Sequence, residues 1–276
     1  MEEKITRRDI LAKAAVLGVG IAVGSAGTRI ASAETAEPCP TEPGSKKDEP
    51  QSGEEPVMRQ WPWPYVKLDP VETAELAYKG WYELGCGGTV VMSIFSQLSE
   101  KVGEPYKSFP DESFVIFEGG LGGWGTLCGS LNGAAMVCSL IIGPPTKDET
   151  SVLMAINTMD WYSHANMPIY VPKEPKANVD SIVHTVSDSP LCHVSVGRWE
   201  KASKFATSSP ERKDRCARVS ASVAYKLVMT LNEWVDGNYS EEVTWFGPQK
   251  ALMPAQYNCA DCHGKNVPKA PLPEKK

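Results

Sequence analysis

Near the C-terminal end, Cys259, Cys262 and His263 stand in "YNCADCHGKNVP", a C-x-x-C-H pattern that occurs once in the chain. Two thiols at this spacing can add across the two vinyl groups of a porphyrin. The adjoining imidazole then falls under the iron as its proximal ligand. Half of a zinc site and a redox dithiol are the other chemistries open to such a pair. A zinc ribbon or finger needs a second closely spaced pair of ligands, and the sequence holds none. A thioredoxin-like dithiol sits between a strand and a helix, and no strand pattern precedes this one. The motif therefore reads as covalent attachment of one c-type haem, with His263 proximal. The segment that carries it, 246–276, is loop-like and rich in proline.

Six further cysteines remain of the eight in the chain. Cys39 falls in a polar N-terminal stretch and is set aside. Cys86, Cys128, Cys138, Cys192 and Cys216 fall at or within apolar, helix-like segments. Buried thiols or disulfides are one reading of them. The other is an iron–sulfur centre, which needs four converging ligands. Cys86 precedes Gly87-Gly88, Cys128 follows a glycine-rich run, and Cys192 follows Ser189-Pro190. Each is thus expected at a helix N-terminus, where backbone N–H groups stabilise thiolates. Five thiols compete for four places.

A haem held by His263 has a second axial position, which His or Met usually fills in an electron-transfer centre. Three other histidines exist. His193 is the first candidate; helical geometry turns it about 100° from Cys192, so the two can serve different groups. His184, in a loop, is the second, placed to reach another subunit. His164 comes third, near a helix end where a surface imidazole is also favourable.

The elements that must position these residues read mainly as helices. "DPVETAELAYKGWYELG" opens on an Asp69 cap and Pro70 and stops at Gly85. "CGGTVVMSIFSQLSEKVG" follows as a second helix, stopping at Gly103. "GTLCGSLNGAAMVCSLIIGPP" is rich in small residues that permit close approach and stops at Gly143. "KDETSVLMAINTMDWYSHANMP" is expected to carry an acidic first turn. "SDSPLCHVSVGRWEKASKF" is expected to be capped by Ser189, with Pro190 first in the helix. "SPERKDRCARVSASVAYKLVMTLNEWVDG" is the longest, ending at Gly237. "SFVIFEG" and "MPIYVP" are weak strand candidates. The fold class expected is all-α, with a helical core over 61–245, an irregular N-terminal arm over 34–60 and a C-terminal haem-binding loop. The arm is too polar to fold alone, and the two indoles of "WPWPY" at Trp61–Tyr65 are expected to dock it.

The first 33 residues read as a targeting segment. Arg7-Arg8 precede a short apolar run, and Ala31-Ser32-Ala33 forms an A-x-A cleavage site. This is the layout of a twin-arginine signal, with an apolar run too short for a stable membrane anchor. Export to the periplasm suits the haem motif, since c-type haems are attached there. Proteins on this route cross already folded, which points to a second cofactor loaded earlier or to a preformed dimer. A net charge of −6 argues against a nucleic-acid surface.

The block "GGLGGWGTLCGSLNGAAMV", with Cys86 before it and Cys192 and Cys216 after it, resembles the C-GCAxxG-C-C family of redox proteins. Together with "SPLCHVSVGRW", "ERKDRCARVSASV" and the terminal "CADCH", it resembles split-Soret cytochrome c over essentially the whole chain beyond the signal. That resemblance implies a periplasmic homodimeric electron carrier with bis-His c-type haem. It implies haems close enough to divide the Soret band and a non-haem iron–sulfur centre. Periplasmic redox proteins are then the expected electron donors and acceptors. An electron-transfer protein is thus favoured over two alternatives: a haem enzyme reducing a small nitrogen or sulfur oxyanion, and a thiol switch.

Overall fold

The computed structural model describes residues 61–144, 149–177 and 182–240. Among these, five α-helices and two 3-10 segments form the chain, with no strand longer than an isolated bridge pair. The all-α class expected from periodicity is the class found.

Helix α1, Pro70–Lys101, opens where the sequence marks it. Asp69 Oδ1 accepts from the Val71 and Glu72 amides at 2.7 and 3.0 Å, with Pro70 in the first turn. Such a cap stabilises by about 1 kcal/mol. Gly85 (φ 64°, ψ −166°) breaks α1, so the two helices read from the sequence are two arms meeting at that glycine. Its positive φ suits a residue without Cβ. The second arm is buried almost continuously from Gly85 to Val91.

Two 3-10 segments, Tyr106–Ser108 and Asp111–Phe117, then cover this arm. The second contains most of "SFVIFEG", which is therefore not a strand. Phe114 is buried instead, with its ring against Phe109 and Phe117. "MPIYVP" is not a strand either, beyond the single bridge of Met167 with Thr185. Pro168 and Pro172 lack the N–H a ladder needs. The Ile169 and Tyr170 amides donate to Ser222 Oγ at 3.0 and 2.9 Å rather than to a neighbouring strand.

Helix α2, Gly129–Ile142, stops at Gly143 (φ 111°) as expected. Helix α3, Thr150–His164, lacks the expected acidic first turn, because Glu149 stands before the helix as its cap residue. Helix α4, Cys192–Ser203, starts later than its sequence cues indicate. Its cap is Leu191, not Ser189. The amides of Cys192 and His193 donate to the carbonyls of Thr126 and Gly125, at 2.7 and 3.1 Å. Those carbonyls take the place of the Ser189 hydroxyl.

Helix α5, Pro210–Val235, is capped by Ser209 Oγ, which accepts from the Arg212 amide at 3.1 Å. It is the central helix, buried without a gap from Asp214 to Ala224, and it packs against α1, α2 and α3. Asp214 and Arg218, both buried, neutralise each other one turn apart at 2.7 Å.

Of the two indoles expected to dock the arm, Trp63 is buried against Phe95, Tyr106 and Phe109. Trp61 stays exposed but donates from Nε1 to the Ser139 carbonyl at 2.7 Å. The arm itself, the targeting segment and Cys39 lie outside the described residues.

Gly129 is where α2 meets the second arm of α1 and the second 3-10 segment most tightly. A Cβ there would stand 1.8 Å from the Phe117 carbonyl oxygen and 2.8 Å from Cys86 Cβ. Gly129→Ala is expected to cost about 1–3 kcal/mol or more, since neither neighbour can yield without moving backbone. Chemical denaturation measures the loss. An unchanged midpoint would mean that this close approach does not exist.

Candidate metal centre

Four of the five core thiols come together. Cys86 follows the Gly85 break, Cys128 caps α2, Cys192 opens α4, and Cys216 stands two turns into α5. They line one cavity of ≈ 10 Å³, room for about one water. Cys86, Cys128 and Cys216 are buried, Cys192 is half-buried, and none is in a disulfide. Three of the four sit at a helix start or break, where the chain changes direction and a side chain can be aimed inward.

The clamp that registers α4 against the glycine-rich turn also registers two of the thiols. Cys128 N donates to the Pro190 carbonyl at 2.9 Å, and Cys192 N returns a bond to Thr126 at 2.7 Å. This corrects one sequence expectation, because the Cys192 and His193 amides at the N-terminus of α4 are committed to backbone and do not face the thiols.

Cys138 is the fifth candidate, and the structure does not bring it to the cavity. It lies on α2 ten residues beyond Cys128, about 15 Å along the helix axis. It is fully buried in the apolar core, and that burial pushes its thiol up to about 12.

The donors around the cavity fit a thiolate-bound, anionic group. Trp81 Nε1 donates to Cys86 Sγ at 3.2 Å. Arg212 and Arg215 bring guanidinium nitrogens to 3.9 and 4.0 Å from Cys216 Sγ. Arg215 is buried, and its Nε has no hydrogen-bond partner among the described residues. Burial works against its charge and the neighbouring Cys216, Tyr162 and Cys128 work the other way, and it remains the cation that arginine ordinarily is. Cys86 is raised well above an ordinary thiol, first by burial and then by Cys216 and Cys128. Cys192 is pushed up to about 12 by burial and by its thiol neighbours, against the opposing pull of Arg215 and Arg212. Cys86 and Cys192 therefore resist ionisation, and a metal bound by thiols displaces their protons. Among the described residues, no three His, Cys, Asp or Glu side chains are already gathered to hold a single ion.

Cys86, Cys192 and Cys216 also line a second, open cleft of about 660 Å³. Its walls include Trp81, Ile116, the glycine-rich turn at Gly119–Gly125, Arg212 and His193. His193 Nδ1 lies 2.7 Å from the Gly125 carbonyl. A carbonyl only accepts, so Nδ1 carries a hydrogen, and in a neutral ring Nε2 then keeps the lone pair that a metal-ligating imidazole uses. Cys192 thus serves both spaces, and His193 the outer one alone. His184 is exposed and lines neither. His164 ends α3, its Nδ1 2.9 Å from the Asp160 carbonyl, and lines neither. Cys259, Cys262 and His263 lie outside the described residues.

The sequence reading missed Arg215, Tyr162 and Ser195. The basic run "ERKDRCAR" around Cys216 was the available signal, since an arginine beside a cysteine on a helix can share its surroundings.

Residues 90–230 match the family described as "Putative redox-active protein (C_GCAxxG_C_C)". That span contains Cys128, Cys192, Cys216 and Arg215; Cys86 lies just before it. The split-Soret cytochrome c of Desulfovibrio desulfuricans is 34% identical over 263 residues, spanning 94% of this chain and 87% of that protein. The chain belongs to the split-Soret cytochrome c family. A solved structure, described as a novel iron centre in the split-Soret cytochrome c of Desulfovibrio desulfuricans, matches with a TM-score of 0.60 at 30% identity. It covers 75% of this chain and 82% of that one. This family member therefore shares its helical fold with a split-Soret cytochrome c in which an iron centre is described. No described helix of the chain is long and apolar enough to cross a membrane.

Proposed function

We propose that the protein is a periplasmic c-type cytochrome that carries electrons between redox proteins, using one haem and one iron–sulfur centre per chain. Cys259 and Cys262 hold the haem, and His263 is its proximal ligand. His193, with Nε2 free to ligate, is the first candidate for the distal position, and His184 the second. Cys86, Cys128, Cys192 and Cys216 hold the iron–sulfur centre, and Cys138 does not. The observation that carries this reading is the meeting of four thiols from separate elements at one buried cavity, beside a buried arginine that no carboxylate among the described residues pairs with. When bound, such a centre supplies one-electron redox chemistry without a substrate pocket. The thiols hold it, Trp81 and the arginines stabilise its negative charge, and the apolar core keeps water away. Loading in the cytoplasm accounts for a twin-arginine signal, because the haem is attached only after export.

Metal and haem analysis of protein prepared without oxygen tests this. One covalent haem per chain, non-haem iron and acid-labile sulfide are expected. Mass spectrometry that found the four thiols paired as disulfides in that preparation would overturn the iron–sulfur assignment.

The native state on this reading is a homodimer. Pairing two chains lets each haem lie against the other through one self-complementary patch. A mass about twice that of the processed chain and a Soret band split by coupling are expected. Dissociation should remove the splitting. If His184 or His193 comes from the partner, dissociation also disturbs the low-spin bis-His spectrum; an undisturbed spectrum places the distal ligand within the same chain. A monomer with a single Soret band contradicts the dimer.

The open cleft beside the thiols gives a specific ground for the enzyme alternative, reduction of a small nitrogen or sulfur oxyanion at a displaceable axial site. Carbon monoxide or nitrite binding to the reduced protein would favour it. Reduced spectra unchanged by either favour the carrier.

A further inference from the structure

Arg215 is the one residue of the cavity whose chemistry the thiols alone do not account for. It is 1% exposed. A guanidinium so deeply buried is costly unless an anion compensates it. Its neighbour on the helix shows the usual solution, for Asp214 and Arg218 form a buried pair at 2.7 Å. Arg215 has no such partner: among the described residues, no carboxylate pairs with it. Its bonds run to neutral groups. Nη2 donates to Ser195 Oγ at 2.7 Å, and the Tyr162 hydroxyl donates to the same oxygen at 2.8 Å. Nη1 points to Cys216 Sγ at 4.0 Å, and Nε has no partner among the described residues. Ser195 and Tyr162, both buried, thus orient a permanent cation on the wall of the cavity without neutralising it. The anion that would neutralise it has to come from the cavity.

We infer that Arg215 is the fixed counter-charge of the iron–sulfur centre and sets its reduction potential, an assignment that rests on the centre proposed above. Cluster potentials respond to net charge, to hydrogen bonds at the sulfurs and to exposure. A cluster gains one negative charge when it takes up an electron. A cation held beside it in a water-poor cavity stabilises the reduced form more than the oxidised one, so it raises the potential. Arg212 contributes less. It reaches the same sulfur at 3.9 Å, but it is only half-buried and opens on the cleft, where water screens it.

The test is a redox titration of the anaerobically prepared full-length protein, with the cluster followed by paramagnetic resonance and the haem by absorbance. Two neutral replacements are used, Arg215→Gln and Arg215→Met, so that failure of one to fold leaves the other. At a fixed potential, either should raise the ratio of oxidised to reduced cluster by about tenfold or more, a fall of about 59 mV for one electron. Arg215→Lys, which restores a cation, should return most of the shift. Arg212→Gln should move the ratio less than Arg215→Gln. The haem midpoint serves as an internal reference for the folded state. An unmoved cluster midpoint in a neutral variant that retains its iron overturns the role of Arg215. Absence of non-haem iron from the wild-type protein overturns the centre itself, which is a separate result.

Discussion

Replacing Cys86, Cys128, Cys192 or Cys216 singly by Ala removes most of the non-haem iron, whereas Cys138→Ala leaves it in place. The expectation follows from geometry, since four thiols meet at one cavity and the fifth is buried in the apolar core. Even partners that only hold a ligand in position are worth roughly 10–100-fold in metal affinity, so loss of a ligand should cost at least as much. Cys138→Ala deletes one buried group from a packed core and should cost about 1 kcal/mol in stability with no effect on metal content. Iron and sulfide assays on the five variants, beside their denaturation midpoints, separate the two kinds of site. Loss of iron from the Cys138 variant, with iron retained in one of the other four, would redraw the ligand set.

Replacing both Cys259 and Cys262 by Ala leaves no haem that survives extraction with acidified acetone. Each thioether is a covalent bond, so the effect is all or none. A single replacement should retain attachment through the remaining sulfur. His263 stays in both variants, so any haem that remains bound can still be ligated, and the comparison isolates the covalent link from the axial bond. Haem that still resists extraction in the double variant would show that this motif does not attach it.

Much of this architecture is written locally. Asp69-Pro70 and Ser209-Pro210 announce the starts of α1 and α5, and Gly143 the end of α2, because caps and breakers act within a turn of themselves. The break at Gly85 was legible for the same reason. The start of α4 was not. Ser189-Pro190 carries every local mark of a helix cap, yet the chain enters the helix at Cys192 because carbonyls over 60 residues earlier accept its first amides. The two strand candidates failed in the same way. β-branched and aromatic residues favour a strand only when a partner strand is at hand; here the first segment packs on Gly87 and Gly88 of α1, and Ser222 of α5 accepts the amides of the second.

The same division runs through the site. Residue type and spacing alone marked Cys259, Cys262 and His263, since thioether attachment needs a contiguous motif. They also marked five core thiols, but could not say which four meet, because those four come from segments up to 130 residues apart. That choice belongs to tertiary packing. Close contact at Gly129 brings Cys86 to Cys128, the backbone clamp brings Cys192 to Cys128, and the central helix supplies Cys216. Rotation and rise along α2 carry Cys138 away. Arg215 was hidden for a further reason. A sequence shows an arginine beside a cysteine, but only the fold shows that it is buried and that no carboxylate among the described residues pairs with it, and in a water-poor cavity that is what makes its charge count.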